Sequence, residues 1–427
     1  MLFFLLCLAA LANFYLLVKI ERFCCSIPWI VYGVWTAQIF LVRLILFTEH
    51  WYDWGLVFIQ FSVFLFCCAY IIGQYGVRGR KINAEKTLAA SYGIRTHEFI
   101  ILCLAGLGII SVMVWLKEHG VTLASFMSKG LLKINSELAY QRYYEDVQSS
   151  TLSSLLGIAP SLLVLYTGAV HGIYGIKWRY TVLAFVPVML MLLTTNTKAG
   201  LIADVIFYAA SFCIGYMVRH HRDFCLRRKQ FGRLVLAGFG IFAILFFSMA
   251  LRLGSLNKEN IAVAGEKFSS YALGHIVAFD QWFAECPRIE KYTFGRYTFY
   301  SIFDQLGIAK REQGVYIDVV EHAGIHTNVY TVYRGFITDF SCAGTLMICI
   351  LLGFLSGATT RRTKRHGASS LQLTFLAFVQ ILYCFYIVSI LSYTTYLCMF
   401  LLFCCLVSCT GLPRGAPRWR GMFRYAA

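Results

Sequence analysis

His326, Asn328, Tyr330, Tyr333, Arg334 and Asp339 share one stretch, HTNVYTVYRGFITD, where a long polar segment meets an apolar run. An imidazole titrating near neutral pH can take a proton from a hydroxyl. A guanidinium offers a planar fork that fits phosphate oxygens, and its contacts strengthen where water is scarce. Two more cations stand at comparable places: Lys198, in TNTKAG between two apolar runs, and Arg252, at the end of another. Together Lys198, Arg252 and Arg334 could grip an anion and stabilise negative charge growing on it, without a metal. Each could equally anchor its own helix end by reaching for the water interface. Asn328, Thr331, Tyr330 and Tyr333 can hydrogen-bond to and stack on sugar rings, or form an interfacial aromatic belt. Asp339, about one turn inside an apolar run, either pairs with one of the cations or, failing His326, acts as the base. Asp204 invites the same pairing, and Arg43 reads as a snorkelling or paired residue.

The elements that must position these side chains follow from composition. Of 427 residues, 59% are apolar and only 14% charged, and the mean hydropathy is +0.66. No soluble domain could hide that much apolar surface, so the chain is expected to be an all-α polytopic membrane protein, 1–427 forming one transmembrane domain. Runs long enough to span are 1–19, 27–47, 54–73, 98–116, 151–170, 179–195, 199–217, 234–251, 336–357, 370–389 and 392–410, about eleven helices. The first lacks a basic segment before it and reads as a retained helix. Connections 19–26, 74–97, 171–179, 218–233, 358–370 and the tail after 411 carry 2, 5, 2, 6, 4 and 4 Lys or Arg, 23 of the chain's 38. Every second connection is therefore basic, which puts residue 1 outside and residue 427 in the cytoplasm. The net charge of +17 follows mostly from this pattern, so a nucleic-acid partner is not needed. RHHRDFCLRRKQFGR, the densest basic run, is expected to meet anionic lipid heads.

Two outward segments are long, 117–150 and 252–330. The second has helical stripes of its own, Phe268, Tyr271, Ala272, Ile276, Phe279, Trp282 and Phe283, then Phe299, Ile302, Phe303 and Leu306. It is expected to fold as a helical cap over the outer face. Most of the 16 cysteines lie in or beside apolar runs, and Cys286 is alone in the large segment. No CxxC, paired-carboxylate, Walker or dinucleotide motif is present, so no metal or cofactor is expected.

TNVYTVYRGFITDFSCAG resembles the segment after the large external loop in O-antigen polymerases of the Wzy type. There an NVYT-like run leads into a helix start carrying DFG and a further glycine. This chain reads Asp339, Phe340, Ser341, then Gly344; serine in place of the usual glycine bears on backbone geometry more than on chemistry. The resemblance extends to GHIVAFDQWF (274–283), FGRYTFYSIFDQLG (294–307) and TNTKAGLI, with Lys198 at the family's arginine place. It covers about a third of the chain. It implies a GT-C-like glycosyltransferase of the bacterial inner membrane, its active site facing the periplasm. Such enzymes move a growing glycan from undecaprenyl diphosphate onto a new lipid-linked repeat unit. On that resemblance Arg252, Arg334 and Lys198 would hold the diphosphate, and His326 or Asp339 would deprotonate the acceptor. A polysaccharide chain-length regulator would be a partner. An O-antigen ligase, acting on lipid A core, shares the architecture. An enzyme using a mono-sugar lipid phosphate would want an acidic base in the first outward loop, where TEHWYD offers Glu49 and Asp53. A flippase would instead show repeats, interrupted helices and midplane charges, whereas only Pro160 and Pro187 fall well inside spans.

Overall fold

A computed structural model describes residues 2–21, 24–47, 49–76, 93–144, 150–195, 198–252, 258–285, 292–308, 316, 318–322, 325–385 and 389–412. Cys286, most of the 74–97 connection and the basic tail lie outside them. The described chain is helical apart from one two-stranded hairpin. Its helices, in order, are α1 Leu2–Ile20, α2 Ile27–Ile45, α3 Trp54–Ile71, α4 Ile94–Glu118, α5 Leu123–Tyr144, α6 Thr151–Leu156, α7 Ile158–Tyr174, α8 Trp178–Thr195, α9 Lys198–His220 and α10 Arg228–Arg252. They continue with α11 Lys258–Ala284, α12 Tyr300–Gln305, α13 Val332–His366, α14 Ser370–Cys384 and α15 Thr394–Thr410. A π-helical turn, Ile72–Gly76, extends α3.

Among the described residues eight helical segments are long and apolar enough to cross a membrane, built on α1, α2, α3, α4, α6 with α7, α9, α10 and α13. Three shorter apolar helices, α8, α14 and α15, fall at the sixth, tenth and eleventh expected spans. This is the architecture of a multi-pass membrane protein. Helix α7 is its hub, buried at almost every position from Ile158 to Ile173. By contrast α10 packs only a small share of its surface and leaves Leu234, Leu236 and Phe239 exposed, as a lipid-facing helix would.

Both long segments expected to face outward contain helix. In 117–150 lies α5, broken at Gly130 (φ 73°, ψ 162°). In 252–330 lie α11, α12 and the hairpin, in which β1 (Val320–His322) pairs antiparallel with β2 (Ile325–Thr327). Sequence periodicity could not show three-residue strands. The stripe from Phe268 to Phe283 does fall on one helix, α11, whose Ile276 and Phe279 are fully buried.

The site rests on the seam between α3 and α13. At Gly353 and Gly357 a Cβ would overlap the carbonyl oxygens of Phe66 and Tyr70, so only glycine lets these helices approach this closely. Helix α13 begins at Val332, four residues before the expected 336, and is interrupted at Ser341 (φ 68°, ψ 171°). That backbone region is nearly exclusive to glycine. The serine partly offsets its strain by capping the lower half of the helix: its Oγ accepts from the Gly344 N–H at 3.2 Å.

Candidate anion-binding site

Asp339 is fully buried just above the break. No cation meets it among the described residues. Its carboxylate instead accepts from the Thr293 hydroxyl at 2.5 Å, the Tyr297 N–H at 3.1 Å and the Thr298 N–H at 2.6 Å. Hydrogen bonds of this kind stabilise a carboxylate as an ion pair would, so the expected pairing is replaced by an anchor. Asp339 fastens the 293–298 loop to α13.

A second carboxylate does similar work from α11. Asp280 accepts from the N–H groups of Tyr52, Asp53 and Gly55 at 3.1, 3.0 and 3.0 Å, tying the turn between α2 and α3 to α11. Burial raises its pKa, and those amide donors act the other way. Within the tied turn Asp53 sits 3.6 Å from Arg43 Nε, and the Arg43 guanidinium lies 5.2 Å from the Trp51 ring. Arg43 is therefore paired. Earlier on α11, His275 bonds Gln38 at 3.1 Å, and burial drives its pKa down to about 3.

Among the described residues, a buried cation lies in an aromatic box near the start of α13. Arg334, two residues into α13, is 6% exposed. Its guanidinium carbon lies 3.9 Å from the ring centre of Tyr330, 4.1 Å from that of Tyr316 and 5.2 Å from that of Trp282. Such faces attract a cation. Burial pushes the phenols of Tyr316 and Tyr330 upward, against the pull of Arg334, and both stay neutral. Tyr297 stacks on Tyr316 at 5.4 Å, so the loop held by Asp339 also backs the box. Arg334 Nη2 meets Asp318 Oδ2 at 2.5 Å. Its Nε and Nη1 are buried with no hydrogen-bond partner among the described residues. A guanidinium fixed in this way, with donors to spare, can stabilise charge developing on a bound anion. Further along α13, an apolar groove of about 960 Å³ runs from Asp339, Phe294 and Phe340 to Ala69 and Ile72, and none of the box residues lines it.

No family model, curated protein or solved structure matches the chain. The candidate site therefore stands on its geometry.

Of the expected site residues, Tyr330 and Arg334 lie in direct contact, and Asn328 supports them by donating to the Tyr316 carbonyl at 3.3 Å. Tyr333 points elsewhere, into the core against Trp35, Phe58 and Phe279. His326 lies on the outer face of β2, and its Nε2 is 3.0 Å from Glu321 Oε1, both side chains being largely exposed. Lys198 opens α9, half-buried. Arg252 closes α10, and its side chain lies outside the described residues. Sequence reasoning missed Tyr316 and Asp318, which precede β1 and carry no periodic signal, and took Trp282 only as part of a stripe. Among the described residues no group of three or more His, Cys, Asp or Glu could hold a metal ion.

Proposed function

We propose that the protein is a glycosyltransferase that polymerises undecaprenyl-diphosphate-linked oligosaccharide repeat units at the outer leaflet of the bacterial inner membrane, an O-antigen polymerase. The observation that carries this reading is the caged Arg334, a buried guanidinium whose Nε and Nη1 have no hydrogen-bond partner among the described residues, on the helix whose next turns line an apolar groove from Asp339 onward. A lipid diphosphate needs both features, a cation for its head and an apolar path for its chain. In the reaction, an acceptor hydroxyl attacks the anomeric carbon of the growing glycan. The bond to the carrier breaks, and its electron pair leaves with the diphosphate. Arg334 stabilises that charge, joined by Lys198 and Arg252, and the hydroxyl proton passes to His326 or to water.

Eight long and three shorter apolar helices support an eleven-span, GT-C-like topology. The basic connections support an outer N-terminus and an inner C-terminus. The interruption of α13 is a feature that transporters share, but it lies only nine residues into the helix, beside Asp339. That position favours a rim site over a midplane one.

The test is purified protein with a synthetic lipid-linked repeat unit and a chelator present, products being read by length. Products longer than one unit are expected. In cells, loss of the protein should leave single repeat units on the lipopolysaccharide. Bare core with polymer retained on the carrier would identify a ligase, and repeat units held on the inner face would identify a flippase.

A further inference from the structure

We propose that the Asp318 carboxylate occupies the anion position at Arg334 when no ligand is bound, and that a diphosphate enters by displacing it. This rests on the reading of Arg334 as an anion site. The two partners are unequally placed: the Arg334 side chain is 7% exposed and that of Asp318 is 71% exposed. Rings of Trp282, Tyr316 and Tyr330 cover the guanidinium, so among the described residues Asp318 is the member of the box that faces water. A buried guanidinium without an anion would be costly, and the carboxylate removes that cost in the empty state. It does so incompletely, because it meets Nη2 while Nε and Nη1 have no hydrogen-bond partner among the described residues. A diphosphate has more oxygens and more charge, and can supply what a single carboxylate oxygen does not. Tyr330 links the two states: its ring lies on Arg334, and its hydroxyl donates to the Asp318 carbonyl at 3.1 Å. The segment therefore keeps its hold on the box when the carboxylate swings away.

Such a stand-in makes the site selective. A neutral solute gains nothing by removing Asp318, whereas a polyanion both replaces the carboxylate and fills the spare donors. The intrinsic affinity is reduced by the fraction of sites the carboxylate blocks.

The experiment measures calorimetric binding of farnesyl diphosphate to the purified full chain in detergent, with farnesol as the neutral control. Asp318→Asn should bind the diphosphate about tenfold more tightly than the unaltered protein. Asp318→Glu, which keeps the carboxylate, should bind much as the unaltered protein does, and Arg334→Gln should not bind. If Asp318→Asn binds equally or more weakly while Arg334→Gln is silent, the anion site stands and the displacement idea falls. If Arg334→Gln binds as well as the unaltered protein, the anion site falls and takes the proposal with it. Should Arg334→Gln fail to fold, inorganic diphosphate serves as competitor in the other two proteins. Competition about tenfold more effective in Asp318→Asn supports the proposal, and absent competition overturns it.

Discussion

Arg334 and Asp339, five residues apart on one helix, divide the labour of the site between a charge that can act and a charge that is spent. Arg334 is held by rings, which tolerate a change of partner. Lys could keep the charge but neither the fork nor the flat stacking surface. Arg334→Lys should therefore lower polymer formation by about a hundredfold, a loss comparable to removing one fixed donor from developing charge, while the protein still reaches the membrane. Near-normal chain length on a polyacrylamide gel would show that a point charge suffices. Asp339 is held by three donors that point at it alone. An amide in its place turns one acceptor into a donor facing donors. Asp339→Asn should cost about 3 kcal/mol and be read as a lower melting temperature of the detergent-solubilised protein. An unchanged melting temperature would remove Asp339 as the anchor.

Among the elements, α13 shows best what the sequence could and could not reveal. Its apolar lower half was plain from hydropathy, and the polar side chains around its start marked the site. The interruption at 341 was not legible, because serine has no special tie to a left-handed backbone. Only the resemblance, with glycine at that place, marked the position. Ser341→Gly should release about 1 kcal/mol or more of strain and lose only a few tenths with the cap. The expected reading is a higher melting temperature with activity kept, and a lower one would mean that the hydroxyl cap outweighs the backbone strain. Helix α11 was visible as a stripe, although the structure buries every residue from Leu273 to Asp280 and leaves Tyr271 of the stripe exposed. The hairpin was not, since Val320, Ile325 and Thr327 become interior only through contact with other elements. The roles of Asp318 and Asp280 were equally hidden, because both depend on groups far away in sequence. So did Tyr333, which hydropathy could not aim toward the core.

For the molecule as a whole, the basic connections make a topological prediction. Single cysteines placed at Ile308 and at His221, on a background cleared of native thiols, should react with a membrane-impermeant maleimide in intact spheroplasts only at 308. Labelling at 221 alone would invert the orientation and put Arg334 on the wrong side for a periplasmic reaction. Stability should also depend on pH through the cap. His275 stays neutral when folded, with its pKa lowered to about 3, against about 6.5 when unfolded. The unfolded chain therefore binds the extra proton first as pH falls. Stability is untouched above about pH 6.5 and lost progressively below it, by about 2 kcal/mol at pH 5. His275→Gln should flatten the acid limb of a melting profile, and an unaltered limb would assign it to other groups.

The three amides that Asp280 grips carry a consequence for how the outer surface can change. Amide hydrogens belong to every residue but proline, so the joint is indifferent to the exposed side chain at position 52. Mutations there can redecorate the outer rim, altering what the protein meets in the surrounding water, while the chain path stays where it is. The joint's side-chain requirement sits on the opposite partner, in a single acidic residue, and a change there would release the whole turn at once.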